Sequence, residues 1–382
     1  MALSPNYSWA EPDNSSLVKN GASDIRTLGD AIDTSVWNVG YGQAGKNKII
    51  NGDFTINQRA FTSITTTNTY GFDRFFIVLA DGTVTWTPQV FTVGAAPVAG
   101  YESTNYSRII TTGQTAVSAI ARLDQRIENV RTFAGQSVTV SFWAKAATGT
   151  PSIAPEFQQV FGTGGSPSAT VNGIIASTPK QAITTSWARY SFNIAVPSIS
   201  GKTIGTANDS NLTLGIYVSA GTNFNARTGS LGIQSNTFDI WGVQVEYGSK
   251  ATPFQTASGG SPQAELAMCQ RYYETTYDIG TAPATATETG SYGFCVGTNT
   301  VAATYFTYAN AYKITKRATP TITLYDLNGN SGKVNKVSAA DLSMTANQTA
   351  TADRIGQSEF RVYAALGTAG GFYGHYVASA EL

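Results

Sequence analysis

Residues 124–146 read DQRIENVRTFAGQSVTVSFWAKA. A charged segment carrying Asp124, Arg126, Glu128 and Arg131 gives way at Gly135 to strict alternation. Val138, Val140, Phe142 and Ala144 fall on one side, and Thr139, Ser141, Trp143 and Lys145 on the other. Successive side chains of a strand point to opposite faces, so this period of two predicts a half-buried antiparallel strand with an apolar core face. The opposite face is polar but holds a tryptophan. Such a ring offers a flat apolar platform to a sugar or a partner protein. Alternatively, loops or a neighbouring subunit cover it.

The composition agrees with a β protein. Charged residues make up 13% of the 382, about half the usual share, and 38 glycines punctuate the apolar runs. Twenty-four basic and 24 acidic residues leave no net charge and no basic run, which argues against a nucleic-acid partner. No apolar run reaches the roughly 20 residues that membrane insertion by a helix needs, and the first residues lack the pattern of a signal peptide. Two cysteines, Cys269 and Cys295, cannot staple a fold of this size. Synthesis in a reducing cytoplasm without export is the expectation.

Strands are expected at 48–51, 74–79, 83–87, 107–111, 119–125, 137–146, 152–161, 187–196, 212–219 and 237–247, separated by turn clusters. Ten short strands at this spacing suit a two-sheet sandwich. Apolar residues at Leu266, Cys269 and Tyr273 predict a short helix within 262–273. Further strands are expected at 291–297, 301–312, 321–325, 332–337, 359–366 and 372–380. Before all this, Val18, Ile25, Leu28 and Ile32 recur at coiled-coil spacing in a helix predicted over 14–33, with Asn14 or Ser15 as its cap. Gly21 and Gly29 weaken that helix in isolation. Three copies about an axis would bury the stripe; packing on its own domain is the other reading.

The fold class expected is therefore mainly β. A helical N-terminal attachment and trimerisation segment (1–45) precedes a central jelly-roll β-sandwich (46–260). A helical linker (261–274) leads to a smaller distal β-sandwich (275–382). The whole is expected to be a homotrimer.

A set of motifs in order carries a resemblance: IINGDFTINQR (49–59), QRIENVRTFAGQSVTVSFWAKA (125–146), FGTGGSPS (161–168), TTSWARYSF (184–192), FDIWGVQVEYGSKATPF (238–254) and CQRYYE (269–274). Together they resemble the carbohydrate-binding-module-like jelly-roll of bacteriophage tail fibres and receptor-binding proteins. Residues 7–33 are similar to the attachment ends of such fibres, and KRATPTITLYDLNGNSGKV (316–334) to their tip domains. The resemblance implies a virion protein made in the host cytoplasm. It would join phage tail or baseplate proteins by its N-terminus and bind host cell-surface polysaccharide through its β-domains. A head fibre or decoration spike without receptor binding is the alternative, and a polysaccharide depolymerase a further one. Many such jelly-rolls hold a structural calcium, and Asp53 and Asp239 resemble its ligands. Turn capping or pairing with Arg59 and Arg74 is the competing role for those two carboxylates.

No catalytic constellation is legible. The one histidine, His375, lies in an apolar-aromatic strand, and nucleophile-elbow, zinc-protease and phosphate-loop motifs are absent. Asp124, Glu128, Glu156 and Asp239 could in principle supply a glycosidase pair, but nothing in the sequence pairs them. For sugar binding, the polar strand faces offer Trp143, Lys145, Trp187, Arg189 and Tyr217, a mixture of rings and hydrogen-bonding groups. A trimer interface would use the same residue types.

Overall fold

The computed structural model describes residues 2–3, 9–11, 17–39, 45–99, 101–295, 305–338, 341–366 and 370–382. The protein is mainly β, with most of its backbone bonds in three large sheets and a two-residue pairing near the N-terminus. Two of the large sheets face each other across one core. The first contains seven strands, in the order Val171–Ile174, Ser152–Val160, Asn211–Ala220, Ile120–Glu128, Phe75–Ala80 and Thr69–Tyr70, with Gln181–Ala182 also on Ser152–Val160. The second contains five, in the order Ala188–Ala195, Ser137–Ala146, Asn236–Tyr247, Asn105–Thr112 and Thr83–Val90.

Alternation builds the core. Val138, Val140, Phe142 and Ala144 are fully buried, and they meet Leu212, Leu214, Ile216 and Val218 of the other sheet in one cluster. Tyr190, Phe192 and Ile194 extend it by pairing with Phe142, Val140 and Val138. The strand expected at 48–51 does not form. Residues 46–49 lie along Asn236–Tyr247, but Lys48 N donates to Val245 O while the Asn47 side chain takes the place of ladder bonds to residues 243 and 245.

The described N-terminal helix is Gly21–Val39, with a single turn, Val18–Asn20, before it. It therefore starts and ends later than expected, and the proposed caps Asn14 and Ser15 lie outside the described residues. Val18, Ile25 and Ile32 are exposed.

Pro262–Gln270 is a helix, capped by Ser261, whose Oγ accepts from Ala264 N, with proline at its first position. Glu265 is buried and accepts from Asn51 N and Ser258 N, tying the helix to the jelly-roll. Eight strands follow in one hydrogen-bonded sheet. Gly371–Ser379 is its hub: Tyr273–Thr275 and Thr321–Tyr325 pair with its second half, and Tyr292–Cys295 and part of Lys333–Val337 with its first. Leu324, Val334, Phe360, Val362, Phe372 and Tyr376 enclose a separate core. Met344–Asp353 was not expected as a strand. Its sequence, MTANQTATAD, has almost no apolar alternation, and only Ala350 is buried. His375 is fully buried, stacked on Tyr277 at 4.1 Å, with its ring nitrogens on Thr276 Oγ1 and Thr287 O.

The two β regions are bonded to each other by charge. Glu381 bridges Arg59 and Arg74 of the jelly-roll, Arg271 pairs with Glu128, and Arg317 donates to Asn208 O. Beside them Asp73 is buried, and burial pushes its carboxyl up to about 6 against the pull of Arg59. No helix among the described residues is long and apolar enough to cross a membrane.

Candidate functional site

The jelly-roll has two outer faces, and the predicted residues divide between them. Trp143, Lys145, Trp187 and Arg189 meet on the outside of the five-stranded sheet. Arg189 lies over Trp143 at 4.6 Å and Lys145 over Trp187 at 5.2 Å. A bulge after Trp241 makes this packing possible: Gly242 has φ +65°, and a Cβ there would sit 2.8 Å from the Trp143 ring. Around them pack Phe91, Tyr101, Tyr106, Trp241 and Phe254, with ring centroids 4.7–6.2 Å apart where they touch. The segments that carry Phe91, Tyr101 and Phe254 fold over the sheet. Residues 252–255 are fastened there by Thr252 to Glu246, Arg189 to Thr252 O and Gln255 N to Gln244 Oε1. Trp143 and Trp187 are half-buried as a result. The ring that reads as a platform is largely covered by its own chain.

Tyr217 is a correction. It lies on the other sheet, is fully buried, and spends its hydroxyl on Glu156 and Arg122. The polar faces of two different strands looked interchangeable in sequence because periodicity does not say which sheet a strand joins. Asp53 and Asp239 also need correcting as calcium ligands. Asp239 is clasped by Arg108 at 2.7 and 2.9 Å with Lys145 at 3.7 Å, while Asp53 accepts from Tyr101 Oη and Thr55 N. Arginine on both oxygens already supplies the charge a cation would bring. No group of three or more potential metal-ligating side chains occurs among the described residues.

The outside of the seven-stranded sheet is built differently. Here Arg122, Asp124 and Arg126 project from Ile120–Glu128, with Glu156 and Gln158 beside Asn211, Thr213 and Tyr217 on the neighbouring strands. Gly215 opens the space. A Cβ at that position would meet Arg122 Cδ at 2.7 Å, so only glycine lets the arginine lie across the strand. Arg122 then gives two 2.6 Å bonds to Asp124, one of 3.0 Å to Glu156 and one of 2.9 Å to Tyr217. Glu156 is completely buried and also receives Arg227, Gln158 Nε2 and Gly173 N. Two arginines and two carboxylates thus close into a charge-balanced floor. Burial pushes Asp124 above its ordinary value, while Arg122 opposes the shift.

Above this floor lies an open cleft of about 330 Å³. Val78 and Val160 give it apolar surface and Gln158 a half-buried amide, while Phe76, Asn211 and Thr213 line it from buried positions, the last two bonded to each other. One wall is the FGTGGSPS loop, where Thr163 donates from both N and Oγ1 to Asp209. The sequence reading missed Arg122, Gln158, Asn211 and Thr213 as a set. Its signal was present: Arg122, Asp124, Arg126 and Glu128 alternate with Leu123, Gln125 and Ile127, a charged face on a strand otherwise facing core.

No protein-family model matches this chain, and no curated protein does. Solved structures do show partial likeness. A family 11 carbohydrate-binding module from Clostridium thermocellum, in complex with a mixed-linked tetrasaccharide, is 10% identical with a TM-score of 0.28, covering 50% of this chain and 98% of its own. The CBM22-1 xylan-binding domain of Paenibacillus barcinonensis Xyn10C is 10% identical at 0.28, covering 55% and 99%. TmCBM61 with β-1,4-galactotriose is 13% identical at 0.25, covering 53% and 99%. Scores of this size assign neither a site nor a ligand to the present chain.

Proposed function

We propose that this protein is a non-catalytic polysaccharide-binding protein of the tail-fibre kind, and that the cleft on the seven-stranded sheet is its sugar site. The carrying observation is the rigid, charge-balanced floor of Arg122, Asp124, Glu156 and Arg227 beneath an open, mixed apolar and amide-lined cleft. Sugar rings present C–H faces and hydroxyls that both donate and accept, and a cleft of this mixture answers both. A fixed floor also spares the entropy of ordering side chains on binding.

The same floor argues against cleavage. A glycosidase needs one carboxyl to give a proton and another to attack or to activate water. Here both Asp124 oxygens accept from Arg122, and both Glu156 oxygens are taken by Arg227 and its neighbours. Arg122 fills the space between the two carboxylates.

The virion role rests on the sequence resemblance. In this reading residues 1–45 attach the protein to the tail, and the exposed Val18, Ile25 and Ile32 stripe meets two further copies. Three sites per fibre raise avidity without a tight single site.

The test is retention of full-length protein in native gels containing neutral cell-envelope polysaccharide, beside adsorption to host cells that have or lack it. Retention and polysaccharide-dependent adsorption are expected, both lost in Val160→Trp, which fills the cleft from a half-buried position. Retention unaltered in that variant would remove the cleft from consideration. No adsorption to either kind of cell would leave a structural virion part as the better reading.

A further inference from the structure

A second cleft, of about 380 Å³, lies where the jelly-roll meets the connecting helix and the first strand after it. Its lining includes Lys48, Arg74 and Arg126 against a single carboxylate, Glu128. That carboxylate is already engaged by Arg271 and by Tyr272 Oη at 2.7 Å. Lys48 Nζ reaches only a backbone carbonyl, Gly45 O, while Arg126 bonds an oxygen of Leu382, the last residue of the sequence. Arg74 is 1% exposed, lies flat on the Tyr272 ring at 3.4 Å, and bonds Glu381 and Arg126 O through its two terminal nitrogens. Its Nε is buried with no hydrogen-bond partner. A buried N–H on a fixed guanidinium costs free energy until an acceptor arrives, and a lysine satisfied only by a carbonyl keeps its charge available.

We infer that this junction cleft binds one anionic oxygen group, a carboxylate or a phosphate, between Lys48, Arg74 and Arg126. Arg126 lines both this cleft and the sugar cleft, so the two are neighbours. A polysaccharide lying in the first would therefore bring an acidic substituent to the second, a step that rests on the proposed sugar reading. The anion site itself does not. It would favour glycans in which acidic and neutral units alternate or in which a phosphate branches from a neutral chain.

Titration of full-length protein with sodium glucuronate and with inorganic phosphate, at low salt and with glucose as the control, tests the anion site. Both anions are expected to bind weakly, glucose not at all, with affinity falling as ionic strength rises. Lys48→Gln should weaken anion binding about 5-fold while leaving retention by a neutral polysaccharide unchanged. Val160→Trp should do the reverse. If folded Lys48→Gln and Arg126→Gln both bind the anions as the parent protein does, or if the parent binds them no better than glucose, the inference fails whatever the sugar cleft does. Comparing an acidic with a neutral polysaccharide then separates the source of the group. Tighter retention by the acidic polymer, lost in Lys48→Gln, supports a glycan substituent. Equal retention restricts the site to free anions and overturns the glycan half of the inference.

Discussion

The two outer faces of the jelly-roll invert what their compositions suggest. The five-stranded sheet carries Tyr106, Trp143, Trp187 and Trp241, the better sugar-binding composition, yet its own loops lie on it. The seven-stranded sheet lines its cleft with one aromatic ring, Phe76, which is 2% exposed beneath Arg126, and with a floor of ion pairs, and the cleft stays open above them. Large rings on a sheet are stabilised by being covered, and a chain with loops to spare covers them itself. Charges on a sheet cannot be covered cheaply without partners. They are neutralised in place: Arg122, Asp124 and Glu156 are themselves buried, and the access that remains is the cleft above them.

The largest effect should come from breaking the floor. Arg122→Ala leaves Asp124 and Glu156 buried without their shared cation, and about 3–5 kcal/mol of stability should be lost in urea denaturation. Polysaccharide retention should disappear with it. A loss under 1 kcal/mol would mean that the ion pairs are exchanged freely for water and that the floor is not rigid. On the covered face, Trp241→Ala should cost a similar about 3–5 kcal/mol, because the ring is fully buried and its Nε1 is bonded to Ser103. Sugar binding at the temperature where this variant stays folded should be unchanged. Retention lost by a folded Trp241→Ala or Trp143→Ala protein would reverse the assignment of the two faces.

A smaller change sharpens the same contrast within the cleft. Gln158 is half-buried and donates to Glu156 at 2.7 Å, with the rest of its amide facing the lining. Gln158→Ala should weaken retention about 5-fold, the worth of roughly one hydrogen bond, with little change in the unfolding midpoint. The matched substitution Lys145→Ala on the other face should leave retention as it was.

Much of this fold was legible because its strands alternate. Ser137–Ala146 was readable to the residue, and the neighbouring strands to within about three, since a half-buried strand writes its two faces into the sequence. Met344–Asp353 was not, because a polar strand held mainly by its ladder leaves no such mark. The covered face was half legible. Trp143, Lys145, Trp187 and Arg189 do come together, but the segments that cover them are loops whose course depends on contacts made up to 63 residues away. Tyr217 was misplaced for a related reason: alternation gives the face of a strand, not the sheet. The open cleft was the least legible part. Its decisive residue is Gly215, which reads as a blemish in an apolar strand until Arg122 is seen lying across it.

The smallest expected effect concerns acid. Asp73, at the foot of the seven-stranded sheet, has its carboxyl pushed up to about 6 by burial. A raised folded value means that the folded state takes up its proton first, so between about pH 6 and 4 this group favours folding as pH falls. His375 in the distal region works in the opposite sense. Burial lowers its pKa, so its contribution is complete above the ordinary histidine range and is lost as pH falls through it. Every tryptophan precedes residue 242, four of them in the jelly-roll and two in the N-terminal segment, so tryptophan fluorescence does not report the distal region while calorimetry does. From pH 7.5 to 5.0 the calorimetric transition of the distal region should fall relative to the fluorescence transition. His375→Gln should remove the divergence and Asp73→Asn should alter only the fluorescence transition. If the two transitions move together in all three proteins, the Glu381 and Arg271 contacts couple the regions into one cooperative unit. The buried charge and the buried ring would then be felt by the whole molecule rather than by the region that holds each.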